Sequence, residues 1–152
     1  SYWGYFRDRQ VKRNTDYPYD DYKCHLVLGV LYKQGVEDGK GMEVYSIDTL
    51  ADIKSVIEHF IFFVQPKWKI ASDQPGSGNT RNIGGVVDVD KLVNGEGTFA
   101  KHGEDVFDDY WMNFYNAADA KKAGMDKPYY KNLKSYTEYL EKKSKLLKEL
   151  KK

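Results

Sequence analysis

Apolar and polar positions along the chain follow two spacings that change from segment to segment. His25 to Tyr32, HLVLGVLY, is a short and nearly continuous apolar run, the pattern of a buried strand. YKQGVEDGKG after it carries three glycines and reads as a polar turn, and MEVYSI resumes as a candidate antiparallel partner. Asp48 stands at an N-cap position before TLADIKSVIEHF, where Leu50, Ile53, Ile57 and Phe60 recur at helical spacing and predict an amphipathic helix. IFFVQPKWKIA returns to strand character, with Pro66 marking an edge or a bulge. A glycine-rich stretch follows, SDQPGSGNTRNIGG, from Ser72 to Gly85. Gly103 to Ala118 predicts a helix that is acidic in its first turn, as the macrodipole favours, with Val106, Tyr110 and Phe114 on one face. The last helix is expected from about Lys134 to the end, with Tyr136, Leu140, Leu147 and Leu150 as its apolar stripe. Strands and helices alternate without an internal repeat, which implies an α/β or α+β domain.

Composition narrows the class without deciding it. The 152 residues make about one domain, with 24 Lys and Arg against 23 Asp and Glu, so no overall polyelectrolyte character points to nucleic acid. Charge is uneven locally: YFRDRQVKRN and the tail from Lys142 are basic, whereas GEDVFDDY is acidic. The single cysteine, Cys24, forms no intrachain disulfide and no CxxC pattern, so a reducing, cytoplasmic compartment is the default. No apolar run reaches the roughly 18 residues of a membrane-spanning helix. A chain that opens on Ser rather than Met reads as a processed product, a trimmed form or a fragment.

The glycine-rich stretch invites a phosphate-binding reading, and its spacing rejects it. A P-loop needs GxxxxGK[ST], which Gly76, Gly78, Gly84 and Gly85 do not supply, and GxGxxG fails because its last position is Arg81. What remains is a loop whose backbone can approach a surface closely and which carries one bidentate amide, Asn79, and one cation, Arg81. Asn can pair with both major-groove atoms of adenine, while an ordinary loop is the plainer alternative.

Other candidate chemistry is thinner. Metal-dependent phosphodiester cleavage needs clustered carboxylates beside a lysine. Asp48, Asp52 and Lys54 imitate that set, but in a helix Asp52 and Lys54 project about 200° apart. Asp88, Asp90 and Lys91 match it only partly and read as a cap or a solvated face. Cys24 and His25, as neighbours in a strand, point to opposite faces and make a poor nucleophile and base.

Several segments, in order, resemble the C-terminal part of the EcoRV-like type II restriction endonucleases. They are NTDYPYDDYKCHLVLGVLY, VYSIDTLADI, FFVQPKWKIASDQPGSGNTRNIGG, LVNGEGTF and EDVFDDYWMNF, from about Asn14 to Tyr115. The most specific block is Gly76 to Thr80 with Asn82, Ile83 and Gly84; Phe107 to Asn113 is the second. Beyond about Ala118 the likeness fades, and residues 119–152 read as a divergent helical basic tail of a single domain.

The resemblance implies an α/β fold, a restriction-endonuclease-like mixed sheet flanked by helices and without the N-terminal catalytic half. It implies a homodimer that binds palindromic double-stranded DNA and an intact enzyme that uses Mg2+. Carried over by position, Gly76 and Gly78 present backbone groups to bases, Asn79 reads an adenine, and Ser77 and Thr80 support the loop. Arg81 replaces an uncharged residue and, with Arg13, would meet the DNA backbone. No metal-binding or catalytic residue of the family falls within this chain, and Asp52-Ile53-Lys54 lies in a different aligned segment. A non-catalytic DNA-binding module that retains only the loop stays open as an alternative, as does a structural domain without DNA.

Overall fold

A computed structural model describes residues 23–35, 44–53, 55–76 and 82–150. The chain is α/β, with four strands, five α-helices and one 3-10 helix among the described residues. It divides into two compact units, one from Val27–Val64 and one from Gln65–Lys152 with Ser1–Leu26.

The first unit is a hairpin of β1 (Leu26–Gln34) and β2 (Ile57–Pro66). The Tyr32 ring faces Phe60 at 6.4 Å and the Gly35 amide donates to the Val56 carbonyl at 2.9 Å, so the strands run antiparallel. The strand expected at residues 25–32 is present, but it is not buried. Leu28, Val30 and Tyr32 share a face with Phe60, Phe62 and Val64, and all six are 45–68% exposed.

Two expectations in this region are corrected. The helix expected over residues 49–60 is a 3-10 helix confined to Ile47–Asp52, and β2 starts at Ile57. Its N-cap is Ser46, whose backbone amide donates to Thr49 Oγ1 at 3.0 Å, and not Asp48. The run VIEHFIFFV is dense enough in apolar residues to match a helical stripe as well as a strand. Its β-branched and aromatic side chains favour the pleated conformation. Of MEVYSI, expected as the partner of β1, the described residues Val44–Ile47 lie outside both sheets, and β2 takes the place beside β1.

The second unit holds the core. Pro66 ends β2, and a single helical turn, α1 (Lys67–Ile70), leads into β3 (Ala71–Pro75). β3 pairs antiparallel with β4 (Ile83–Gly85), Ala71 opposite Gly85 and Pro75 opposite Ile83, with a register irregularity between them. α2 (Val89–Asn94) is capped by Asp88, which accepts from the Lys91 amide at 3.0 Å, and ends on Gly95 in the left-handed region at φ 69°. α3 (Glu104–Met112) stops short of the helix expected to Ala118, because Asn113 leaves helical geometry and Asn116 caps a separate α4 (Ala117–Lys122).

α5 (Leu133–Glu149) begins where expected, with Asn132 and Ser135 forming a reciprocal capping box. Only the first part of its stripe is covered: Tyr136 is buried, whereas Leu140, Leu147 and Leu150 are exposed.

The core is an aromatic cluster built on α3. Phe107, Tyr110, Trp111 and Phe114 recur at three- and four-residue spacing and bury one face against Phe99, Tyr130, Leu133 and Tyr136. Tyr110 is the hub, with Phe99, Trp111, Phe114, Tyr130 and Tyr136 rings at 5.0–5.6 Å from its own. Such pairs contribute about 0.5–1.5 kcal/mol each beyond their area. Phenol oxygens this deep need acceptors, and each has one. Tyr110 donates to the Asp73 carbonyl at 2.7 Å, Tyr130 to the Tyr110 carbonyl at 2.7 Å, and Tyr136 to Asp109 Oδ2 through a short bond. Burial, with those neighbours, raises the pKa of all three phenols, so they stay protonated donors.

Candidate nucleic-acid interface

The second unit presents the glycine-rich stretch on a narrow stem. β3 brings the chain up to Gly76, and β4 takes it back from Asn82. The Gly76 amide donates to the Asn82 carbonyl at 2.7 Å and closes the stem. Ser77, Gly78, Asn79, Thr80 and Arg81 lie between these two residues and outside the described ones, as does Arg13.

Each arm of the stem is fixed by a different means. On the outgoing arm, Gly84 is buried, and a Cβ there would stand 2.5 Å from the Gln74 carbonyl oxygen and 2.6 Å from Ser72 Oγ. Only glycine lets the two backbones come this close. On the incoming arm, Ser72 Oγ donates to the Gln74 carbonyl at 3.0 Å, and Gln74 Nε2 reaches the Lys131 carbonyl at 3.3 Å. Asp73 is tied to α3 by its carbonyl and to the start of α5 by its side chain, where Oδ2 accepts from the Leu133 amide at 2.8 Å.

A cation lies beneath the stem. Lys67 is 9% exposed, and its Nζ donates to the Ile83 carbonyl at 3.4 Å. Burial lowers its pKa. The Lys67 amide donates to the His25 carbonyl at 2.8 Å. The His25 imidazole is lowered to about 4, by burial first and then by positive charge that includes Lys67.

The other candidate groups are not brought together. Asp48 and Asp52 sit in the 3-10 helix of the first unit, and Lys54 lies outside the described residues. Asp88 is the cap of α2 and Asp90 lies in its first turn, which is the capping role expected for that pair. Cys24 is exposed and His25 half-buried. Among the described residues no group of three or more His, Cys, Asp or Glu is placed to hold a metal ion, so these residues do not fit a magnesium centre. No described helix is long and apolar enough to cross a membrane.

A stem of this form could carry many kinds of loop, and its geometry alone names no family. Residues 1–141 match the family model for restriction endonuclease EcoRV. The chain belongs to the EcoRV restriction endonuclease family. The type II restriction enzyme EcoRV of Escherichia coli is 33% identical over 133 residues, which are 87% of this chain and 51% of that enzyme. The chain therefore spans about half the length of this relative. The EcoRV-family match runs further than the quoted blocks, through α3 and α4 into α5, and leaves residues 142–152 beyond it.

Within this EcoRV-family chain the Phe107 to Asn113 block spans the end of α3 and its C-cap, and its Phe107, Tyr110 and Trp111 are core residues. Asp109 takes the Tyr136 hydroxyl, and Asn113 Nδ2 folds back on Asp109 Oδ1 at 3.1 Å. Sequence reasoning missed Asp73, Gln74 and Lys67. No local pattern marks them, because their partners lie 60, 57 and 16 residues away.

Proposed function

We propose that this chain is the DNA-recognition part of a type II restriction endonuclease that hydrolyses phosphodiester bonds with Mg2+. The loop of residues 77–81 enters the major groove of a palindromic double-stranded site. Asn79 reads an adenine, the backbones of Gly76 and Gly78 face base edges, Ser77 and Thr80 brace the loop, and Arg81 and Arg13 meet phosphates. A homodimer, acting in the cytoplasm, matches the two-fold site with two-fold protein symmetry. The carboxylates and lysine of hydrolysis come from the half of the relative's length that this chain does not span.

The observation that carries the reading is the closed stem. Gly76 and Asn82 are joined at 2.7 Å, and Gly84 packs without a side chain, so both arms leave the core fixed and side by side. Recognition needs a short segment held rigidly enough for an amide to meet two base atoms together.

Selection from randomised duplexes, followed by titration of the selected and a scrambled duplex, tests it. Wild type is expected to prefer the selected duplex, and Asn79→Ala to lose about 1–3 kcal/mol of that preference. Wild-type binding without sequence preference refutes the recognition role. Magnesium-dependent cleavage by this chain alone refutes the assignment of the chemistry elsewhere.

A further inference from the structure

The incoming arm of the stem is tied to two helices by one residue that the recognition reading does not use. Asp73 lies in β3, three residues before Gly76. Its carbonyl accepts from Tyr110 at 2.7 Å, its Oδ2 from the Leu133 amide at 2.8 Å, and its Oδ1 from Gln74 Nε2 at 3.4 Å. Tyr110 is fully buried at the centre of the aromatic core, so the first bond ties the strand to that core. The Leu133 amide is among the first donors of α5, which have no partner within their own helix. A carboxylate there makes a charge-assisted bond at the positive end of the helix dipole. One residue thus joins the arm leading to the loop to two helices, 37 and 60 residues further along the chain.

We propose that Asp73 is a positioning residue for base recognition. It fixes the height and twist of the incoming arm against α3 and α5, so that Asn79 reaches the groove in a single register. The inference rests on the recognition role of the loop. A site that reads bases works only when its supports hold it to within about 0.5 Å. Gly84 packs the outgoing arm against the Gln74 carbonyl, so an error in β3 passes to both arms. Asp73 itself touches no base and no phosphate in this role.

The test uses the chain with the selected duplex and a scrambled one, and reads the ratio of their dissociation constants. Asp73→Ala removes the carboxylate and is expected to lower that ratio roughly tenfold, the size of one charge-assisted hydrogen bond. Asp73→Asn keeps an acceptor for the Leu133 amide and is expected to restore most of it. Binding to the scrambled duplex, and its slope against salt, should not move, because no phosphate contact is lost.

An unchanged ratio in folded Asp73→Ala overturns the proposal. Equal weakening on both duplexes overturns it too, since that marks a merely structural residue. If Asp73→Ala does not fold, Asp73→Ser decides: it keeps a small polar side chain but no carboxylate that reaches the Leu133 amide, and an unchanged ratio then overturns the proposal. A wild type that shows no preference, or an Asn79→Ala that keeps it, instead removes the recognition role on which the proposal stands.

Discussion

Gly84→Ala tests whether the two arms of the stem are packed as closely as their backbones indicate. The added methyl carbon would lie 2.5 Å from the Gln74 carbonyl oxygen and 2.6 Å from Ser72 Oγ, where ordinary contact begins at 3.4 Å. The Ser72 hydroxyl can rotate away, at the loss of its 3.0 Å bond to that same carbonyl. The carbonyl is backbone, so β3 and β4 must separate by most of an ångström. Overpacking of this kind costs about 1–3 kcal/mol. In a chain of this length each kcal/mol lowers the melting temperature by about 2–4 °C, so a fall of roughly 2–12 °C is expected. Gly85 next to it is the control: its nearest neighbour would be the Ile70 carbonyl oxygen at 3.6 Å, and Gly85→Ala should change stability by about 0.5 kcal/mol or less. Circular dichroism melts of both variants, backed by urea titrations with unchanged slope, give the comparison. If Gly84→Ala melts no lower than Gly85→Ala, the close-approach argument is refuted.

Phe99→Ala removes a fully buried ring that lies 5.3 Å from both Phe107 and Tyr110, and should cost about 3–5 kcal/mol in urea denaturation. Asp88→Ala takes the acceptor from the Lys91 amide at the start of α2 and should cost about 1 kcal/mol, whereas Asp88→Asn keeps the cap and should be nearly neutral; equal losses would refute the capping role. The His25 pKa falls from 6.5 to about 4 on folding, so the unfolded chain binds more protons between those values. The stability His25 contributes is then complete above pH 6.5 and is lost as pH falls toward 4, so His25→Gln should flatten the stability curve over that window, and parallel curves would refute the assignment.

Elements with strong end signals were legible from sequence. α5 begins at Leu133, one residue from the expected start, and α3 begins at Glu104 behind the expected acidic first turn, although it ends at Met112 rather than at Ala118. β2 was legible in part: residues 61–66 read as strand, as they are, whereas the pattern puts residues 57–60 in a helix and carries the strand on through Lys67–Ile70, which form a helical turn. A run rich in Ile, Val and Phe satisfies a helical and an extended template alike. The apolar stripe of α5 predicted a buried face, yet only its first turns meet the aromatic cluster. The loop itself could be picked out by its glycines and Asn79. Its supports could not, because Asp73 becomes distinctive only when folding brings Leu133 to it.

The face of the β1–β2 hairpin has a practical consequence for handling the protein. Six large apolar side chains stand exposed together on a pair of strands, and a two-stranded ribbon is at best marginally stable in water by itself. Such a surface attracts other copies, edge to edge or face to face, and becomes stickier as concentration and salt rise. A charged residue in place of Phe62, on that face, is expected to weaken such association.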